Sequence, residues 1–250
     1  MRTRWLVSAT MRFRIPGDNP MRKLGLCVLA MAWMGVSVRA QNAVTPLKAN
    51  DRIVFLGDSI TQAGAGPKGY VTLVRENLDK NAKDLKVEVI GAGISGNKVP
   101  DLEKRLDRDV LSKKPTVVVI YIGINDVWHG QNDPAKGTLP ERFESGLGGI
   151  VDKIQSSGAR VVLATPSLIG EKKDGANKLD AKLDQYSGLT RKLAAEKKTG
   201  LCDLRQAFLD HVAKNNPDNK DSGILTSDRV HLNEAGDRFV AAEMLKAMGR

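Results

Sequence analysis

Four short stretches of the 250-residue chain hold side chains from which a reaction could be assembled. An apolar run ends abruptly in Gly57-Asp58-Ser59. GAGISGN spans 91–97, GIND spans 123–126, and SDRVHLNEAG spans 227–236 with Asp228 and His231 inside it. A serine hydroxyl is a poor nucleophile at neutral pH until a base takes its proton. Histidine suits that task because its pKa lies near working pH. A carboxylate on the other ring nitrogen fixes the tautomer and stabilises the imidazolium. Ser59, His231 and Asp228 are the residue types for those three roles. Asp228 and His231 stand three apart, and in an extended strand they would point to opposite faces, so their pairing requires a turn. Acyl transfer also needs donors aimed at the developing oxyanion. Gly93 would permit close backbone approach, Asn125 offers an uncharged amide, and the Ser59 N–H is a third donor. Each stretch alone has a plainer reading. Gly-Asp-Ser and GIND make good turns or a helix N-cap. GAGISG alone reads as a flexible loop, and HLNEAG could simply start a helix through Asn233. Their joint order argues for chemistry.

The elements between them say how such groups could be positioned. Apolar, β-branched runs predict strands at Ile53–Leu56, Val87–Ile90, Thr116–Ile122, Arg160–Ala164 and Leu201–Leu204. Helical spacing of apolar residues predicts helices over Tyr70–Lys80, Leu102–Leu111, Pro140–Gln155 (loosened by Gly146, Gly148 and Gly149), Lys178–Lys198 and Glu234–Met248. Alternation of this kind predicts one α/β domain, a three-layer α/β/α sandwich of flavodoxin-like type on a parallel sheet of about five strands. Loops at the carboxyl ends of such strands form the binding crevice, and the first three stretches follow strands. Among lesser candidates, Asp58 and Asp126 are expected to hold their loops through backbone hydrogen bonds. Asp58, Trp128 and His129 are candidate substrate contacts, and His211 is expected on a helix surface. The lysines from Lys172 to Lys198 are expected to form a solvated helix face. No His, Cys, Asp and Glu cluster has metal-ligand spacing, so no metal or other cofactor is expected.

A net charge of +10 raises the question of a nucleic-acid partner. Residues 1–40 hold seven basic residues and one acid, a net +6, which leaves +4 on the remainder. No Arg-rich run interleaved with aromatics follows, so nucleic acid is not expected as a partner. Residues 1–40 instead predict an N-terminal extension and a secretory signal. Met21-Arg22-Lys23 precedes an apolar stretch to about Val38 that ends Val38-Arg39-Ala40 before Gln41. Met21 is the expected true start. The apolar stretch is short for a membrane span. The expectation is therefore cleavage near Ala40, export to the periplasm or beyond, no stable membrane insertion afterwards, and a functional domain over 41–250. Cys27 would leave with the signal, so Cys202 has no disulfide partner and reads as a buried small hydrophobe.

FLGDSIT, GAGISGN, YIGINDVW and SDRVHLNEAG together resemble, in order, the four blocks of the SGNH or GDSL hydrolases, over about Asp51 to Leu245. One departure is Gly91, where many relatives carry Asn. The resemblance implies an α/β/α sandwich and ester hydrolysis through an acyl-serine, without metal or organic cofactor. It implies Ser59 as nucleophile, Asp228 and His231 as its partners, and Ser59, Gly93 and Asn125 as oxyanion donors. The expected function is an exported serine esterase acting on a small acyl group, acetyl, of a carbohydrate ester. The alternatives are a lysophospholipase or thioesterase for longer chains, or a carbohydrate-binding module that lost catalysis.

Overall fold

The computed structural model describes residues 44–250. The signal segment, its cleavage point and the extension before it lie outside the described residues. Five strands form one parallel sheet: β1 (Arg52–Gly57), β2 (Glu88–Gly93), β3 (Val117–Tyr121), β4 (Arg160–Ala164) and β5 (Gly200–Cys202). Their order across the sheet is β2-β1-β3-β4-β5. The helices are α1 (Ser59–Gly64), α2 (Tyr70–Asn81), α3 (Val99–Asp109), α4 (Ile124–Trp128), α5 (Pro140–Ser156), α6 (Asp180–Glu196), α7 (Leu204–Asn215) and α8 (Glu234–Ala247). In one layer α2 packs on α8, and in the other α5 packs on α3 and α6. Every residue of β3 is buried, as a strand covered on both faces requires. Among the described residues, no helix is long and apolar enough to cross a membrane.

The structure departs from the sequence reading in instructive ways. The strand expected at Leu201–Leu204 ends at Cys202, because Asp203 turns the chain and its carboxylate caps α7. The glycines of α5 do not loosen it. A Cβ on Gly146 would lie 2.7 Å from the Val99 side chain of α3, and one on Gly148 would touch Leu193 of α6. They are the places where three helices approach closely. Two short helices, α1 and α4, were not expected as such, since six and five residues are too few to show a period. Cys202 is buried as expected, and burial pushes its thiol pKa well up.

The first two glycine-containing stretches have a shared packing reason. Helix α1 lies directly on the end of β2. A Cβ on Gly91 would stand 2.7 Å from the Ala65 Cβ, and one on Gly93 would stand 2.1 Å from the Gln62 backbone nitrogen. Alternate strand residues face the same side, so Gly91 and Gly93 together clear the seat for the helix that begins with Ser59.

Candidate active site

Ser59 sits at the carboxyl end of β1 as the first residue of α1. Asp58 caps that helix, its Oδ1 accepting from the Ile60 N–H at 3.0 Å. The Asp58 carboxyl is only 2% exposed. It lies within the fold beside Ser59 and cannot contact substrate, which corrects one expected role and agrees with the expected loop-holding one. Burial raises its pKa to about 7, helped by the nearby Asp126 charge.

Asp228 and His231 lie in a loop closed by an antiparallel bridge between Thr226 and Leu232. Asp228 Oδ1 accepts from the Val230 and His231 N–H groups at 3.1 and 2.8 Å. That Asx-type turn, with Arg229 at φ 81°, brings the two side chains to one side of the loop. His231 Nδ1 meets Asp228 Oδ2 at 2.7 Å, and His231 Nε2 meets the Ser59 Oγ at 2.9 Å. An ionised carboxylate can only accept, so Nδ1 carries the proton and Nε2 accepts from the serine hydroxyl. Burial pushes the Asp228 pKa up, but the hydrogen bonds from the His231 ring, the His231 N–H and the Val230 N–H outweigh it, and the net shift is downward. Asp228 is therefore ionised at neutral pH.

What holds this loop was missed in the sequence. Glu171 is fully buried, and its carboxylate accepts the N–H groups of Ile224, Leu225 and Thr226, each at 2.7 Å. It clasps the backbone just before the Asp228–His231 turn from the segment that follows β4. No local pattern around Glu171 could signal this, because its partners lie more than fifty residues away.

Asn125 is buried in α4, its Nδ2 donating to the Asn97 carbonyl at 3.1 Å. The second hydrogen of that amide is left for another acceptor. Gly93 is placed differently from expectation. Glu88 and Ile94 donate to Asp51 and Gly57 beside β1, so the even-numbered N–H groups face β1. Gly93 therefore points its N–H to the open edge of the sheet, away from Ser59. Gly96 is the residue the sequence reading passed over. Along 94–99, Ile94, Ser95, Asn97, Lys98 and Val99 each donate their N–H within the protein. Gly96 alone of the six has no acceptor, and it holds φ at 76° with open space around it. That left-handed geometry favours glycine, and the GIS-G spacing was the available signal.

Trp128 is partly buried against the core, and His129 beyond it is exposed. Partial burial and the charge of Lys98 lower the His129 pKa. Asp126 stands three residues before His129, the same spacing as Asp228 and His231, yet the pair does not form. Asp126 turns inward, accepts from the Val99 N–H at 3.1 Å, and is raised by burial to about 6. His211 is not simply a surface residue, since its ring packs on Phe239 at 4.9 Å between centroids.

Residues 55–239 match the GDSL-like Lipase/Acylhydrolase family. An acetylxylan esterase of Geobacillus stearothermophilus is 32% identical over 216 residues, 80% of this chain and 95% of that protein. A crystal structure of the acetyl xylan esterase AlAXEase is 48% identical, with a TM-score of 0.76, over 78% of this chain and 98% of that one. Solved structures of the Geobacillus enzyme, 29% identical with a TM-score of 0.74 over 82% of this chain and 97% of that one, include catalytic mutants in which a serine, an aspartate or a histidine is replaced by alanine. The four stretches, the five-stranded parallel sheet and these likenesses converge: the chain belongs to the GDSL-like lipase/acylhydrolase family, and it is a carboxylic-ester hydrolase.

Proposed function

We propose that the chain deacetylates a carbohydrate ester through an acetyl-serine at Ser59. The observation that carries this is the unbroken chain of contacts from Ser59 Oγ to His231 Nε2 and from His231 Nδ1 to Asp228 Oδ2, at 2.9 and 2.7 Å. Ser59 Oγ attacks the acetyl carbonyl carbon as His231 Nε2 takes its proton. Asp228 stabilises the imidazolium. The developing oxyanion takes donors from the Ser59 N–H, the free amide hydrogen of Asn125 and the Gly96 N–H, the last in place of Gly93. His231 returns its proton to the departing sugar hydroxyl. Water, activated by the same histidine, then releases acetate and restores Ser59.

Support for acetyl as the acyl group comes from the names of relatives. Two acetylxylan esterases are described above, and a rat isoamyl acetate-hydrolyzing esterase homolog is 25% identical over 76% of this chain. In the Geobacillus enzyme the aspartate and histidine of the catalytic mutants stand three apart, the spacing of Asp228 and His231. The domain is proposed to act over 41–250 after export, following the basic and apolar character of residues 22–40.

The test is hydrolysis of p-nitrophenyl acetate, butyrate and octanoate, and release of acetate from acetylated xylo-oligosaccharides. Acetate is expected fastest of the three synthetic esters. A rate that climbs from butyrate to octanoate would move the substrate to longer acyl chains. Wild-type turnover in Ser59→Ala would overturn the mechanism.

A further inference from the structure

A concavity of about 230 Å³ opens beside the loop that carries Asp228 and His231. It is smaller than the roughly 300–1,000 Å³ of sites for drug-sized ligands, and matches a single sugar ring better than a long chain. Arg229 lines it, between the proposed base His231 and its carboxylate partner Asp228, and so does Gln131, three residues past Trp128. The segment after β4 adds Lys172, Asn177 and Lys178, and the stretch after α7 adds Asp221.

Its wall is firmly built. Arg205, 1% exposed, donates to the Asp180 carboxylate at 2.9 Å, to Asp184 at 2.7 Å and to the Ser167 carbonyl at 3.1 Å. This ties the segment after β4 to α6 and α7. The buried Asn177 accepts from the Lys172 N–H and donates to the Lys172 carbonyl, closing the turn that presents Lys172 and Lys178. Both lysines precede α6, so they are not part of the solvated helix face expected from the sequence.

The charge is one-sided. Lys172, Lys178 and Arg229 face one acid, Asp221, which Arg229 meets at 3.2 Å. Neither lysine ammonium has a hydrogen-bond or ion-pair partner among the described residues. Two unpaired ammoniums on an anchored turn, in a cleft that shares Arg229 with the loop of Asp228 and His231, fit a carboxylate on the substrate.

We propose that this cleft is a subsite for a uronate unit of the acetylated glycan, held by Lys172 and Lys178 beside the sugar that carries the acetyl group. The assignment rests on the deacetylase reading above and adds the acidic substituent to it.

The experiment compares the full chain on two acetylated xylo-oligosaccharides of equal length and acetylation, one neutral and one bearing a single glucuronate. p-Nitrophenyl acetate serves as the reference. At low salt, kcat/KM is expected to be about fivefold higher on the uronate substrate, through KM, the scale of a partly exposed ion pair. The preference should shrink as salt is raised through about 0.15 M. In a Lys172→Gln/Lys178→Gln variant it should vanish, with neutral-substrate and p-nitrophenyl acetate turnover unchanged. In Lys83→Gln/Lys86→Gln, at the far end of the sheet, it should persist. Equal kcat/KM on the two glycans with normal p-nitrophenyl acetate turnover would overturn the subsite and leave the esterase standing. So would a preference that survives the first variant or is lost in the second, since overall charge would then explain it. Failure on both glycans and on p-nitrophenyl acetate would overturn the deacetylase reading, and the subsite with it.

Discussion

The two halves of the site are built in opposite ways. Ser59 stands where a buried strand runs into a helix, over a buried aspartate, with the Ala65 methyl pressed against Gly91 and helix backbone against Gly93. Asp228 and His231 stand in an irregular loop, with side chains 53% and 37% exposed. One half is fixed by close packing of a helix on two glycines of the neighbouring strand. The other is fixed by hydrogen bonds to a turn and by a single remote carboxylate, Glu171. Packed interiors are stiff, whereas exposed loops sample more conformations. A nucleophile must not wander from the oxyanion donors, while a base must receive and return a proton, which a small ring movement can serve.

The largest expected effect removes what the two halves share. Ser59→Ala should lower kcat on p-nitrophenyl acetate by about four orders of magnitude or more while leaving the thermal midpoint nearly unchanged. Next comes the packed half. In Gly93→Ala the new Cβ would fall 2.1 Å from the Gln62 nitrogen and 2.5 Å from the Thr61 carbonyl carbon, neither of which can swing aside. A loss of about 2–4 kcal/mol in urea unfolding is expected. Wild-type stability there would show that α1 is not seated as described.

The hydrogen-bonded half should fail differently. Glu171→Gln keeps an acceptor for Leu225 and Thr226 but turns an amide N–H toward the Ile224 N–H. We expect kcat to fall about tenfold with KM within about twofold, as for a lost positioning contact. Reaction with an organophosphonate ester should slow in proportion. An equal fall in stability and no change in kcat would reduce Glu171 to a purely structural role.

The smallest effect is a slope. The Asp58 carboxyl rises from 3.8 to about 7 in the fold because it is buried. The folded form therefore holds a proton that the unfolded form releases. The stability this contributes is fully present below about pH 4 and is lost as pH rises through about 7. Asp58→Asn keeps an oxygen to cap α1 and should flatten the fall in thermal midpoint between those values. Asp126, raised to about 6, should leave part of the slope in place. An unchanged slope would mean that Asp58 ionises normally.

Much of the packed half was legible because its signals are local. A β-branched run reads as a strand, and a Gly-Asp-Ser corner reads as a cap or a catalytic turn. Order and spacing carried the family resemblance. The finer assignment of glycines was not legible. Gly93 and Gly96 look alike as letters, and only the ladder alternation and the hydrogen bonds of their neighbours separate a packing glycine from one with a free N–H. Asp126 and His129 make the same point, since they repeat the Asp-x-x-His spacing without forming the pair. Helix α4 turns the first inward to Val99 and leaves the second outside.

The alternation of strands and helices, the residue types able to attack an ester and the order in which they appear are written along the chain, because these depend on neighbours within a few positions. Tertiary structure alone decided that His231 reaches Ser59 across 172 positions, that Glu171 holds the loop between them, and which glycine keeps its N–H free. Those facts depend on where a parallel sheet delivers the ends of its strands, and on which backbone groups find partners once it has done so. No local pattern encodes either.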